Sequence, residues 1–251
     1  MAVMVASSLQ AGPTLAMILV RLAMCYHGTA LVKAASHGFR HLGSPAVELV
    51  FVRHGQPERV VRHDGQPADP PLSEIGRQQA AAVAGWLAEM GIDALYGSPM
   101  RRALQTAQAI SDATGLQPTV RDGLSEFDRD SPAYVPMEVL KETDRERWDE
   151  LATGSFSDAE RSAQFIATVN EAVDRIVADH RSQRVALACH GGVVNAYLAR
   201  CLGFEADTFL KFDVDYTSVT RVFASSHGHR SVLSVNERTH LRGRPDLAIG
   251  L

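Results

Sequence analysis

The sequence predicts an α/β fold, a three-layer sandwich with a mostly parallel central sheet, helices on both faces and a C-terminal antiparallel hairpin. Three observations carry this. Short apolar runs, such as 47–52 and 185–189, alternate with longer segments whose apolar residues recur at helical spacing, the pattern of a parallel sheet covered on both sides. The last two apolar segments, Thr217 to Ala224 and Ser231 to Asn236, flank the turn Ser226-His227-Gly228-His229 and read as a hairpin. At 251 residues the chain can bury one sizeable core, and nothing in it reads as a linker between two domains.

Residues 1–47 differ from the rest. They contain no Asp or Glu and are rich in Ala, Met, Leu and Val. The stretch Leu15 to Val20 is broken by Arg21 and is too short for a membrane span. The expectation is a poorly ordered leader over 1–47, either an upstream-start extension or a targeting segment, before a folded domain over 48–251.

The first strand, Val47 to Val52, runs into Arg53-His54-Gly55. Ser73 then suits an N-cap for a helix carrying Ile75, Ala80, Val83, Leu87 and Met90, stopped by Gly91. Ala94 to Tyr96 predicts a strand, after which Ser98 is placed to cap, and Pro99 to begin, a helix that runs to Thr114 and stops at Gly115. A third strand, Thr119 to Arg121, leads to an acidic loop around Glu126 and an insert over about 127–158. Ala159 to Asp179 has Phe165, Val169, Val173 and Ile176 at helical spacing. Val185 to Cys189 reads as a strand ending in His190-Gly191-Gly192, followed by a helix from Val193 to Leu202 that stops at Gly203.

Two histidines therefore stand at strand ends, each followed by glycine, with Arg53 beside one and Arg102 in the first turn of a nearby helix. In such sheets ligands bind at the C-terminal strand ends. Arginine forks bind phosphate there, so the outline is that of a phosphate site. A net charge of -4 with 22% charged residues gives no global case for nucleic-acid binding, so any anion preference is local. The three cysteines, at 25, 189 and 201, form no disulfide framework, which favours a reducing, cytoplasmic compartment. No histidine, His63, His227 and His229 included, has metal-ligand spacing.

The motifs come in an order that resembles the histidine phosphatase superfamily, in its phosphoglycerate-mutase-like branch. Arg53-His54-Gly55 is followed by Leu72, Ser73, Gly76, Gln79 and Ala80, and then by Ser98, Pro99, Arg102, Ala103, Thr106 and Ala107. Thr217-Ser218-Val219-Thr220, Asn236 and His240-Leu241 match the closing segments, so that the resemblance spans about Glu48 to Leu241. It implies a phosphomonoester hydrolase acting on a small phosphorylated metabolite, with no cofactor and no metal.

In that reading His54 attacks phosphorus, Arg53 and Arg102 hold the phosphate oxygens, His190 adds a donor and Gly191 lets backbone approach. The resemblance places the proton donor in Leu124-Ser125-Glu126, making Glu126 the acid with Asp128 its rival. The chain departs from the pattern at Phe127-Asp128-Arg129, where the family commonly has glycine and a tryptophan-rich stretch. It departs again at Gln56-Pro57-Glu58-Arg59, where mutases typically have Glu-Ser and a Trp-Asn pair. Phosphoglycerate mutase is thus the first alternative, and a non-catalytic phospholigand-binding protein is the alternative from another class. The partner expected is a small phosphorylated substrate, with no nucleic acid and no membrane, and a homo-oligomer stays open.

Overall fold

The structure, a computed structural model, describes residues 46–152, 159–204 and 210–248. The predicted leader therefore lies outside the described residues up to position 45, and so does the end of the insert, 153–158.

The main sheet has six strands, β1 (Val47–Arg53), β3 (Ala94–Gly97), β4 (Thr119–Val120), β6 (Arg184–Cys189), β7 (Val219–Ala224) and β8 (Arg230–Glu237). Their order is β4-β3-β6-β1-β7-β8. Pairing is parallel from β4 to β1, and antiparallel for β1 with β7 and β7 with β8. The predicted mixed sheet and terminal hairpin are both present. A separate two-stranded sheet pairs β2 (Val60–Val61) with β5 (Ala133–Tyr134). The sequence offered no sign of it, because two residues are too few to show a period.

Alternation along the strands divides the core into two layers. Val47, Leu49 and Phe51 of β1, with Val185 and Leu187 of β6, pack against Val169, Val173 and Ile176 of α5 (Ala159–Asp179) and Val193 to Ala199 of α6 (Gly191–Leu202). Val50, Val52, Ala186 and Ala188 point the other way, onto Val83 and Leu87 of α1 (Glu74–Met90) and Ala107 and Ile110 of α2 (Arg101–Thr114). A period of two sends neighbouring side chains to opposite faces, so each central strand must be apolar throughout. The helix that follows β1 lies on one face and the helix that follows β6 on the other. The C-terminal ends of these adjacent strands are the usual ligand position in such sheets.

Ser73 caps α1 as predicted, its Oγ accepting from Gly76 N–H at 3.0 Å. Ser98 does not cap α2, and Pro99 lies outside it: the N-cap is Met100, with no side-chain cap bond. Ser98 Oγ accepts from Met100 N–H at 3.3 Å, just ahead of the helix, and is also bonded to His190 Nε2 at 2.8 Å. Helix α6 begins two residues earlier than expected, at Gly191, with His190 as its N-cap. Within the insert the described chain forms β5, α3 (Met137–Thr143) and α4 (Arg145–Ala152).

Candidate active site

The backbone around His54 is fixed on three sides. Its N–H donates to Cys189 O of β6 at 2.9 Å, and its carbonyl accepts from Thr217 N–H at 3.3 Å. Gly55 N–H donates to Thr106 Oγ1 at 3.1 Å, while the Thr106 hydroxyl donates to Arg102 O at 2.9 Å. One threonine of α2 thus ties the histidine loop to the helix turn that bears Arg102. A Cβ on Gly55 would lie 2.3 Å from Gly76 O, and one on Gly76 would lie 2.0 Å from Gln56 O. Both glycines are required because the start of α1 packs backbone to backbone against the histidine loop.

Both imidazoles are buried, His54 2% and His190 0% exposed. His54 Nδ1 lies 2.7 Å from Gly55 O. A carbonyl can only accept, so Nδ1 carries the hydrogen and Nε2 keeps its lone pair. Arg102 Nε donates to that Nε2 at 3.2 Å. Burial, then Arg102, then Arg53 hold the His54 pKa well below 6.5, so the ring is neutral at physiological pH. His190 stands edge-on at 5.1 Å between ring centroids, with Nε2 bonded to Ser98 Oγ at 2.8 Å. Its Nδ1 is buried without a hydrogen-bond partner among the described residues. Burial and the neighbouring Arg102, His54 and Arg53 lower its pKa as well.

Two guanidiniums complete the inner site. Arg53 Nη1 donates to Val214 O, and its Cζ lies 4.1 Å from the centre of the Tyr216 ring. Arg102 is fully buried, pairs through Nη2 with Asp128 at 3.0 Å and lies with Cζ 4.6 Å from the Tyr134 ring centre. Its Nη1 has no partner among the described residues. Two arginines thus converge on the two imidazoles, and a buried donor of Arg102 is left ready for an anion.

Glu126 reaches the site from the loop after the 3₁₀ turn Asp122–Leu124. Its Oε2 accepts from Gly192 N–H at 2.8 Å and its Oε1 from Phe127 N–H at 2.9 Å. A Cβ on Gly192 would lie 2.2 Å from Oε1, so the carboxyl occupies the space a side chain there would fill. Burial, then the charge of Asp128, raises the Glu126 pKa above its ordinary 4.5. A cavity of about 210 Å³ opens beside it, lined among others by Ser125, Phe127, Arg129, Arg161 and Phe165.

The structure gathers Arg53, His54, Arg102 and His190 directly, and joins Glu126 to them through the first turn of α6. Gly191 lies beside Arg53, but a Cβ there would meet nothing closer than 3.8 Å, so close packing does not demand glycine at that position. Asp128, weighed on sequence as a rival acid, is the ionic partner of Arg102. Ser98 and Thr106 stood in quoted motifs, but their hydrogen bonds to His190 and Gly55 were not foreseen. Tyr134 and Tyr216 gave no signal in the sequence. Thr217 has φ 53, a left-handed conformation rare for a β-branched residue. That turn aims its N–H at the His54 carbonyl. Its Oγ1 donates to Tyr216 O at 2.8 Å, so the contact at 3.2 Å from His240 Nε2 is a donation by the imidazole.

Among the described residues no group of three or more His, Cys, Asp or Glu side chains is placed to hold a metal ion. No helix among them is long and apolar enough to cross a membrane. The sequence pattern of the histidine phosphatase superfamily (branch 1) matches residues 49–238. The chain belongs to that superfamily. The phosphatase reading made on the sequence agrees with this membership and with the names of histidine phosphatase relatives. Phosphoserine phosphatase 1 of Hydrogenobacter thermophilus is 29% identical over 201 residues, covering 78% of this chain and 94% of that protein. Glucosyl-3-phosphoglycerate phosphatase of Mycolicibacterium vanbaalenii is 33% identical over 178 residues, covering 64% of this chain and 76% of the relative. Among solved histidine phosphatase folds, a phosphoserine phosphatase from Entamoeba histolytica, in complex with 3-phosphoglyceric acid, superposes with a TM-score of 0.62 at 23% identity, over 78% of this chain and 99% of the other.

Proposed function

We propose that this protein hydrolyses small phosphomonoesters in two steps through a phosphohistidine on His54. One observation carries the reading. The Gly55 carbonyl fixes the hydrogen on Nδ1, so Nε2 of a buried, neutral imidazole offers its lone pair beside Arg102.

In the first step Nε2 attacks phosphorus and the bond from phosphorus to the leaving oxygen breaks. Arg102 Nε turns from the imidazole to a phosphate oxygen, with Arg102 Nη1, Arg53 and His190 Nδ1 on the others. Glu126, whose raised pKa favours the acid form, gives its proton to the leaving oxygen. In the second step water attacks phosphorus, its proton passes to the Glu126 carboxylate, the bond from nitrogen to phosphorus breaks and phosphate leaves. His54 returns neutral with Nδ1–H still on Gly55 O. Gly191, at the start of α6 beside Arg53, supplies backbone close to the phosphate.

The insert over about 127–158 faces the leaving group, which lies on the Glu126 side, and residues 48–251 act as one catalytic domain. The names of the relatives make phosphoserine and glucosyl-3-phosphoglycerate the first substrates to try. We further propose that the enzyme works without a metal, in the cytoplasm, with no nucleic-acid or membrane partner.

The test is a panel of phosphorylated metabolites assayed for phosphate release and for isomerisation, with alkaline quenching during turnover to trap phosphohistidine. Phosphate release and a trapped group that His54→Ala abolishes are expected. Transfer to a second hydroxyl without release would make the protein a mutase, and tight anion binding without turnover would make it a binding protein. Retention of the label in His54→Ala would move the nucleophile elsewhere.

A further inference from the structure

Each arginine of the site lies over a tyrosine ring, Arg53 at 4.1 Å from Tyr216 and Arg102 at 4.6 Å from Tyr134. The rings come from distant segments, Tyr134 from β5 in the insert and Tyr216 from the loop before β7. Both are buried, at 8% and 2% exposed. The rest of each arginine is held differently, Arg53 by a backbone carbonyl and Arg102 by a carboxylate and an imidazole. A guanidinium is a planar fork, and its value for phosphate depends on the direction of that plane. An aromatic face under it restricts rotation, and in a desolvated site it also attracts the cation.

We propose that Tyr134 and Tyr216 are positioning residues that set the planes of the two phosphate-binding guanidiniums, one ring to each arginine. The insert is then part of the anion clamp as well as a wall for the leaving group. This rests on the phosphatase reading of the same site, but it concerns how the anion is held and can be measured without turnover.

The experiment uses the full chain, with orthovanadate and inorganic phosphate as probes. Binding is read by calorimetry, beside p-nitrophenyl phosphate kinetics and thermal melting. Tyr216→Leu and Tyr134→Leu are each expected to weaken orthovanadate by about 10- to 30-fold, the scale of a lost desolvated stack. Tyr216→Phe and Tyr134→Phe keep the ring and are expected within about threefold of wild type, a rescue that no general loosening of the fold would produce. Leucine variants that melt normally and bind like wild type would overturn the proposal, as would Phe variants that lose as much as Leu. Should the Leu variants melt low, the Phe pair decides: binding within about threefold of wild type supports the rings as the positioning element, and losses of about 10-fold or more refute it. A wild type that binds orthovanadate but never forms phosphohistidine would sink the phosphatase reading and leave this one standing.

Discussion

The two ends of β1 hold charge in opposite ways. At the N-terminal end Glu48, 7% exposed, accepts from Arg184 Nε at 2.8 Å and from Arg221, and Arg184 Nη1 also donates to the Met90 and Gly91 carbonyls at the end of α1. Carboxylate, guanidiniums and helix-end carbonyls complement one another there. At the C-terminal end two arginines converge on neutral histidines, with Asp128 the carboxylate paired to Arg102 and buried donors left over on Arg102 and His190. The same strand thus anchors three neighbouring elements at one end and at the other leaves buried nitrogens of Arg102 and His190 without partners among the described residues. A matched buried charge resists disruption, whereas an unmatched one is held in readiness for a ligand.

That contrast is tested by making the ends fail differently. His54→Ala is expected to abolish turnover and phosphohistidine trapping while leaving thermal stability at or above wild type. A variant that keeps substantial turnover would end the assignment. Glu126→Gln should slow formation of the phosphohistidine from alkyl phosphates by about 10² to 10⁴ in single-turnover experiments, and much less from p-nitrophenyl phosphate, whose leaving group needs no proton. Equal slowing with both would show that Glu126 is not the proton donor.

Gly192→Ala puts a methyl carbon where the Glu126 carboxyl now sits, 2.2 Å from Oε1. It should imitate a milder Glu126→Gln, about 10-fold or more in the same assay, because the carboxyl is pushed aside rather than removed. Unchanged kinetics with an alkyl phosphate would show that the position of Glu126 is not critical.

Glu48→Gln should do the reverse, lowering stability by about 3 kcal/mol in denaturant unfolding through loss of a buried partner for two arginines, with kcat/KM unchanged. A fall in kcat/KM without a fall in stability would erase the distinction between the ends.

The smallest effect is on pH. The pKa values of His54 and His190 are lowered from 6.5, and that of His240 is lowered to about 4 by burial. The unfolded chain therefore binds more protons than the native one as acid is added. This stability is complete above about pH 6.5 and is lost below it, at no more than about 1.4 kcal/mol per pH unit for each histidine. Melting temperature should fall as pH drops through 6 and 5, and less steeply in His54→Ala.

The order of the large elements was legible because their signals are long: the apolar runs of β1 and β6, and the helical stripe over Ala159 to Asp179. The charged residues at strand ends were legible because strand and motif coincide at Arg53, His54 and His190. Ser98 was expected to cap α2 and bonds Met100 N–H just ahead of it, while its second contact, with His190, comes from the parallel pairing of β3 with β6 and has no local signal. Tyr134 and Tyr216 were invisible because a tyrosine gains its role from the guanidinium above it, which is a matter of tertiary geometry. Gly55 has Gly76 as its neighbour, a contact that only the packing of α1 discloses.

The histidine loop also has a history in time. Its bonds to α1 and α2 span little sequence, 23 residues between Gln56 and Gln79 and 51 between Gly55 and Thr106. Arg53 reaches Val214 across 161 residues. Closing a longer loop costs more entropy and happens later. During refolding the loop after His54 should settle early against α1 and α2, whereas the His54 backbone itself waits for Cys189 of β6 and for Thr217, which precedes the C-terminal hairpin. A chain arrested before those segments dock would hold Gly55 and Gln56 in place and still have neither a seated His54 nor Arg53 on Val214.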